Sequence, residues 1–316
     1  MKDDNAAQQD REGGSRKVIL AAIVANLGIT VAKFVVAALS GSAAMAAEGI
    51  HSAVDTGNEV LLLIGEKVSA RPPDQRHPFG YGKAVYFWAL IVALSVFSLG
   101  GGLSIYHGVQ ALRRPEPVED ALWNYLVLAV AAVFEGYSWN VSRRALNRYR
   151  RPGHSLWQAV HVSKDATVFT VFIEDSAALI GLAVAALGIA LGQLFDNPYF
   201  DPAASVVVGL VLVGAAFTLA RETGALLVGE SMGPDQMRQL NEIFRDDPNI
   251  ATVTRLLTMQ LGPDDVLLTA SVQFNRGMDI DEVEKAIEEL ERKVSARYPS
   301  IQHIYFESGA LRSAMR

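Results

Sequence analysis

Apolar residues in this chain gather in long blocks separated by short polar stretches. Six blocks approach the roughly 20 residues that a helix needs to span a bilayer. They are roughly Val18–Leu39, Ala43–Ile64, Val85–Leu112, Leu122–Val141, Thr167–Leu191 and Ala203–Leu219. The pattern predicts a polytopic α-helical membrane protein with six transmembrane helices. The first block follows a polar start, is too long for the apolar core of a signal peptide and runs on past Lys33, so it reads as a span and not a cleaved leader.

After Arg221 the periodicity changes. Asp235–Asp246 reads as a helix with Pro234 just before it. Ala251–Leu261 and Val266–Asn275 read as strands joined by the turn Gly262-Pro263-Asp264-Asp265. Ile280–Arg297 is amphipathic, with Val283, Ile287, Leu290 and Val294 on one face, and Gln302–Phe306 is a short last strand. The order α-β-β-α-β suits a small two-layer α+β domain. The predicted organisation is a polar tail over 1–16, a membrane domain over 17–221 and a C-terminal domain over 222–316.

Composition agrees with this division. Of 316 residues, 50% are hydrophobic and 20% charged, and the formal net charge is −6. Residues 1–221 hold 18 basic and 18 acidic side chains, so the whole excess of acid belongs to residues 222–316. These figures exclude a disordered chain and a basic nucleic-acid binder. The absence of cysteine excludes disulfides, thiolate zinc sites and iron–sulfur clusters. Loop charges orient the spans. Gly41-Ser42 and Gln193–Pro202 carry no Lys or Arg, and Arg113 and Arg114 are offset by Glu116, Glu119 and Asp120. The opposite side carries Arg16, Lys17, Lys67, Arg71, Arg76, Lys83, Arg143, Arg144, Arg148, Arg150, Arg151 and Lys164. The positive-inside rule predicts that both termini are cytoplasmic, and the even number of spans agrees.

Some ionisable residues lie inside the predicted spans, where each costs about 2.5–3.5 kcal/mol on insertion scales. The second span carries Glu48, His51, Asp55 and Glu59, whose spacings of 3, 4 and 4 form one helical stripe with Asn58 beside it. His51 and Asp55 lie one turn apart and can converge on one ion. The fifth span carries Glu174 and Asp175, and the fourth carries Glu135. Interhelical hydrogen bonding alone needs only one or two neutral polar groups. A histidine with several carboxylates at similar depth is tolerable when a divalent cation offsets the acids. Imidazole with carboxylates suits Zn²⁺, Mn²⁺, Fe²⁺ or Co²⁺. Imidazole also titrates at about pH 6.5 when unperturbed, so protons compete with metal near neutrality. Lys33 reads as a snorkelling stem or an acid's partner, and Glu135 is equally compatible with a structural role. In the loop after the second span, Asp74 and His77 read as a cap in preference to a metal site. His107, His154, His161 and His303 are isolated.

The runs Gly41-Ser42, Ala46-Ala47-Glu48-Gly49-Ile50-His51-Ser52, Asp55-Thr56 and His77-Pro78-Phe79-Gly80-Tyr81-Gly82-Lys83 resemble the cation diffusion facilitator (zinc transporter) family. Glu174-Asp175-Ser176-Ala177-Ala178 and His51…Asp55-Thr56-Gly57-Asn58 resemble the branch that includes animal zinc transporter nine and its bacterial relatives. The resemblance extends from Lys17 to about Glu307. It implies a homodimer of six-helix protomers with cytoplasmic ferredoxin-like domains, exporting divalent metal in exchange for protons by alternating access. It implies a metal pair at His51 and Asp55 and a further ligand at Asp175. The histidine usual four residues earlier in the family is Val171 here. Glu174 is its candidate substitute, although neighbouring residues on a regular helix diverge by about 100°. The resemblance implies zinc as the first expectation for the cargo, and this departure leaves manganese, iron and cobalt open.

The expected protein is therefore a transporter and not an enzyme, in a bacterial inner (cell) membrane, with metal, protons and lipid as partners and no nucleic acid. Two alternatives use the same residues. One is an intramembrane metal-dependent hydrolase, for which no H-E-x-x-H motif is present. The other is a membrane metal sensor, for which residues 222–316 offer no recognisable output motif.

Overall fold

The computed structural model describes residues 26–115, 121–147, 150, 153 and 155–308. The predicted tail over 1–16 lies outside them, as does the start of the first block. The chain forms two compact units. One holds the described residues up to Ile64, Trp88–Val160 and Thr167–Arg221. The other combines Gly65–Phe87, His161–Ala166 and the chain from Glu222 onward.

The helices of the first unit are α1 (Asn26–Ser40), α2 (Ala43–Ser69), α3 (Ala84–Arg113), α4 (Ala121–Leu146), the short α5 (Leu156–Val162), α6 (Ala166–Leu194) and α7 (Phe200–Val228), some of which run on into the second. Among the described residues, α3, α6 and α7 are long and apolar enough to cross a membrane. α2 has the length, but the acids of its stripe interrupt its apolar character. α5 is absent from the predicted elements because seven residues are too few to show a period. Its start nevertheless has a local cause. Ser155 Oγ accepts from the Gln158 amide at 3.2 Å while the Gln158 side chain accepts from the Ser155 amide at 2.8 Å, a reciprocal capping box.

Two features position α2. α1 and α2 are joined by a tight turn at Gly41, whose φ of +68° favours a residue without Cβ. Asp201, in the first turn of α7, then caps α2 from outside. Its carboxylate accepts from the Ser42 hydroxyl at 2.7 Å and from the Ala43 and Ala44 amides at 2.6 and 3.3 Å. Those amides belong to the first helical turn, which has no intrahelical acceptors for them. Ser40 Oγ donates to Asn124 Oδ1 of α4 at 3.0 Å and fastens the same hairpin a second time. Val36, Met45, Leu128, Leu182, Ile189 and Ala204 form the apolar core around it. Large side chains such as Val133, Leu187 and Phe217 stay exposed on the outer helix faces, as expected of a surface in apolar surroundings.

α3 contains a π-helical turn at Val96–Gly102. It includes Gly101, where an added Cβ would lie 2.7 Å from Val213 Cγ2 and 3.0 Å from the Gly209 carbonyl of α7. The missing side chain lets α3 and α7 approach closely.

In the second unit, α8 (Pro234–Arg245) starts with proline in its first turn. Strands β1 (Ile250–Gly262) and β2 (Asp265–Phe274) pair antiparallel across the predicted turn. Helix α9 (Ile280–Arg297) carries the chain over to β3 (Ile301–Ser308), which pairs parallel with β2. The sheet order is β1-β2-β3. A parallel neighbour requires such a crossover. Asp279 and Glu282 cap α9 reciprocally at 2.8 and 3.0 Å. Its fully buried side chains are Ala286, Leu290 and Val294, so the inward face is rotated slightly from the predicted stripe, and Val283 and Ile287 sit at its margin. Leu290 and Val294 pack with Leu240, Phe244, Leu268 and Val272.

The loop after α2 belongs to this unit. Asp74 Oδ1 accepts from the Arg76 and His77 amides at 2.9 and 2.7 Å, and Oδ2 accepts from the Tyr81 hydroxyl at 2.7 Å. Asp74 is thus the loop's cap. The Tyr81 hydroxyl, followed by the His77 amide, holds its carboxyl below the usual range. A depressed carboxylate contributes order that is present above its unfolded pKa and lost as pH falls through its folded pKa. In hydrogen exchange, protection of the Arg76 and His77 amides, corrected for intrinsic rates, is expected to fall on acidification. In Tyr81→Phe the loss is expected at higher pH.

Candidate metal centre

The α2 stripe is buried in the first unit. Glu48, His51 and Asn58 are almost wholly enclosed, while the Asp55 side chain retains 18% exposure. His51 Nδ1 lies 3.3 Å from Asp55 Oδ1, as the one-turn spacing requires, yet the contact lacks hydrogen-bond alignment. Both ring nitrogens of His51 and Oδ1 of Asp55 are buried without a hydrogen-bond partner. Such groups are rare because each forfeits its hydration. An imidazole and a carboxylate that converge with lone pairs unused are suited to receiving a cation.

α6 brings two further acids, both buried, and the structure separates them. Glu174 Oε1 accepts from Asn58 Nδ2 at 2.7 Å and so faces α2. Asp175 Oδ2 accepts from Ser138 Oγ at 2.9 Å and Ser142 Oγ at 3.2 Å, both on α4. The divergence of neighbouring helical residues turns them toward different partners. Asp55 lies within electrostatic reach of Glu174, Glu135 and Asp175. Among the described residues, no three His, Asp or Glu side chains are drawn together into a finished metal shell. The structure therefore brings His51 to Asp55, points Glu174 toward α2 through Asn58, and ties Asp175 to α4.

Several neighbours of the site carry little signal in the chain. Ser138 and Ser142 are four apart on α4, with Glu135 one turn before Ser138, so they share a face. That spacing is visible in the sequence, but hydroxyls near a carboxylate are too common to stand out. Asn26 Nδ2 donates to Glu59 Oε1 at 2.8 Å. Thr170 Oγ1, one turn before Glu174, is buried without a hydrogen-bond partner. Lys33 is fully buried and pairs with Glu48 at 3.1 Å, which makes it an acid's partner and not a snorkelling stem. Of the isolated histidines, His161 pairs with Glu222 at 2.9 Å and His303 lies 3.6 Å from Asp265. His154 lies outside the described residues.

The helical unit with its buried stripe of acids and imidazole has matches among known proteins. The model of the cation efflux transmembrane domain matches residues 19–228, and the chain belongs to that family. Human "Proton-coupled zinc antiporter SLC30A9, mitochondrial" is 36% identical over 264 residues, covering 83% of this chain and 46% of the relative. "Metal tolerance protein C4" of Arabidopsis thaliana is 31% identical over 265 residues, covering 84% and 58%. "Manganese efflux system protein MneP" of Bacillus subtilis (strain 168) is 24% identical over 312 residues, covering 94% and 99%. The chain thus spans about half the length of the animal and plant relatives.

The Asn58–Glu174 hydrogen bond links α2 directly to one of the α6 acids. Asn58→Leu is expected to lower the stability of the detergent-solubilised chain by about 1–3 kcal/mol, because it strands a buried carboxylate. Adding Glu174→Leu is expected to recover most of the loss in thermal unfolding.

Proposed function

We propose that this chain is a divalent metal transporter that exports its cargo from the cytoplasm in exchange for protons. The observation that carries the reading is the buried His51–Asp55 pair, whose facing nitrogen and oxygen atoms have no hydrogen-bond partners, within reach of the α6 acids. The relatives support it, since their names describe proton-coupled zinc antiport and manganese efflux. His51 and Asp55 bind the ion from α2, Asp175 from α6, and Glu174 joins as the fourth ligand once a cation draws it from Asn58. Zinc is the expected cargo, because a neutral imidazole with few carboxylates suits a borderline ion.

Exchange follows from charge. The carboxylates cannot all remain ionised and unpaired in an apolar interior, so either one divalent cation or protons must compensate them. A rocking motion of the helical bundle would present the same residues to each side in turn. In this reading α1, α2, α3, α4, α6 and α7 are the six spans. The termini are cytoplasmic, following the loop charges, in a bacterial cell membrane. The ferredoxin-like C-terminal domain holds two protomers together. No observation favours the hydrolase or sensor alternatives.

Flux into proteoliposomes under an imposed pH gradient tests the reading. Wild type is expected to move Zn²⁺ with a counterflow of protons. His51→Ala, Asp55→Ala and Asp175→Ala are each expected to lose at least about tenfold in rate. Retained proton-coupled flux in both aspartate variants would overturn the assignment. Competition among Zn²⁺, Mn²⁺, Fe²⁺ and Co²⁺ identifies the cargo.

A further inference from the structure

Glu48 lies on the same face of α2 as His51, less than one turn before it, so the two side chains are neighbours on that face. It is fully buried, and Oε1 has no hydrogen-bond partner. The seat for this group is built. Gly181 of α6 leaves the space for it, since an added Cβ there would lie 2.5 Å from Oε1. The other oxygen, Oε2, is held by Lys33 Nζ at 3.1 Å. Lys33 reaches across from α1, is itself wholly enclosed, and donates also to Ser52 Oγ at 2.7 Å. Its charge is within electrostatic reach of His51, Asp55 and Glu135.

We propose that Lys33 determines metal preference by withholding Glu48 from the transported ion. With Glu48 neutralised, the cargo meets one imidazole and few carboxylates, a set suited to zinc. With Glu48 released, the set gains an anionic oxygen and shifts toward harder ions of higher coordination number, such as manganese. Lys33 is thus a positioning residue that acts through Glu48. The inference rests on the transport reading above.

Equilibrium binding of Zn²⁺ and Mn²⁺ to the whole 316-residue chain, alongside flux in proteoliposomes, tests it. Lys33→Gln is expected to raise the Mn²⁺:Zn²⁺ affinity ratio about tenfold, and Lys33→Arg is expected to keep the wild-type ratio. Glu48→Gln leaves the lysine charge unopposed and is expected to weaken both metals. Lys33→Gln/Glu48→Gln is expected to return the ratio to that of wild type. A merely structural pair would lower both affinities alike in each single variant and leave the ratio unmoved. If Lys33→Gln does not fold, Lys33→Met decides by the same Mn²⁺:Zn²⁺ ratio, a rise supporting the role and an unchanged ratio overturning it. An unchanged ratio in a folded Lys33→Gln protein, with wild type transporting, overturns the role of Lys33 alone. A wild type that neither binds nor transports either metal overturns the transport reading as well.

Discussion

The constraint on which the rest of the structure depends is the cost of enclosing charge. α2 places Glu48, His51 and Asp55 on one face, and that face lies inside the helical unit. Neighbouring helices compensate part of it. α1 contributes Lys33 to Glu48 and Asn26 to Glu59. α6 adds two more acids, one of which accepts a hydrogen bond from Asn58 of α2. α4 contributes two hydroxyls to Asp175. At the centre the compensation is incomplete, because His51 and one oxygen of Asp55 are left without hydrogen-bond partners. Enclosing polar atoms in this way is costly, and a facing imidazole and carboxylate are suited to receiving a cation.

This arrangement gives α2 a demanding position, and the fold meets it at the start of the helix. Asp201 satisfies the free amides of Ala43 and Ala44, and the Gly41 turn keeps α1 beside α2. A carboxylate at a helix N-terminus is favoured by both hydrogen bonding and the helix dipole. Burying Asp201 is therefore less costly than burying an unpaired acid elsewhere. Gly181 makes room for the Glu48 carboxylate, and Gly101, within the π turn of α3, lets α3 and α7 pack closely.

Much of this is legible in the chain, and the reason differs by element. α9 has the bounds that its sequence predicts, because its amphipathic period and its Asp279 cap are local. The two strands and their turn are equally clear. The 3-4-4 spacing of the stripe is enough to pair His51 with Asp55, since helical neighbours one turn apart must meet. α5 escapes the periodicity for its shortness, although Ser155 and Gln158 carry its capping signal. The π turn escapes it too, because a local change of period leaves no mark on a run of uniformly apolar residues.

The sequence by itself determined the long helical segments, where acid and imidazole share a face, and which family the chain resembles. Each of these depends on residues a few positions apart. Only the tertiary structure decided that Glu174 looks toward α2 while Asp175 is held by α4. Only it paired Lys33 with Glu48 and set Asp201 on the start of α2, 158 residues away from Ala43. Such pairings depend on how each helix is rotated about its axis and which helix lies beside it. Packing of distant segments sets both, and no local pattern encodes them.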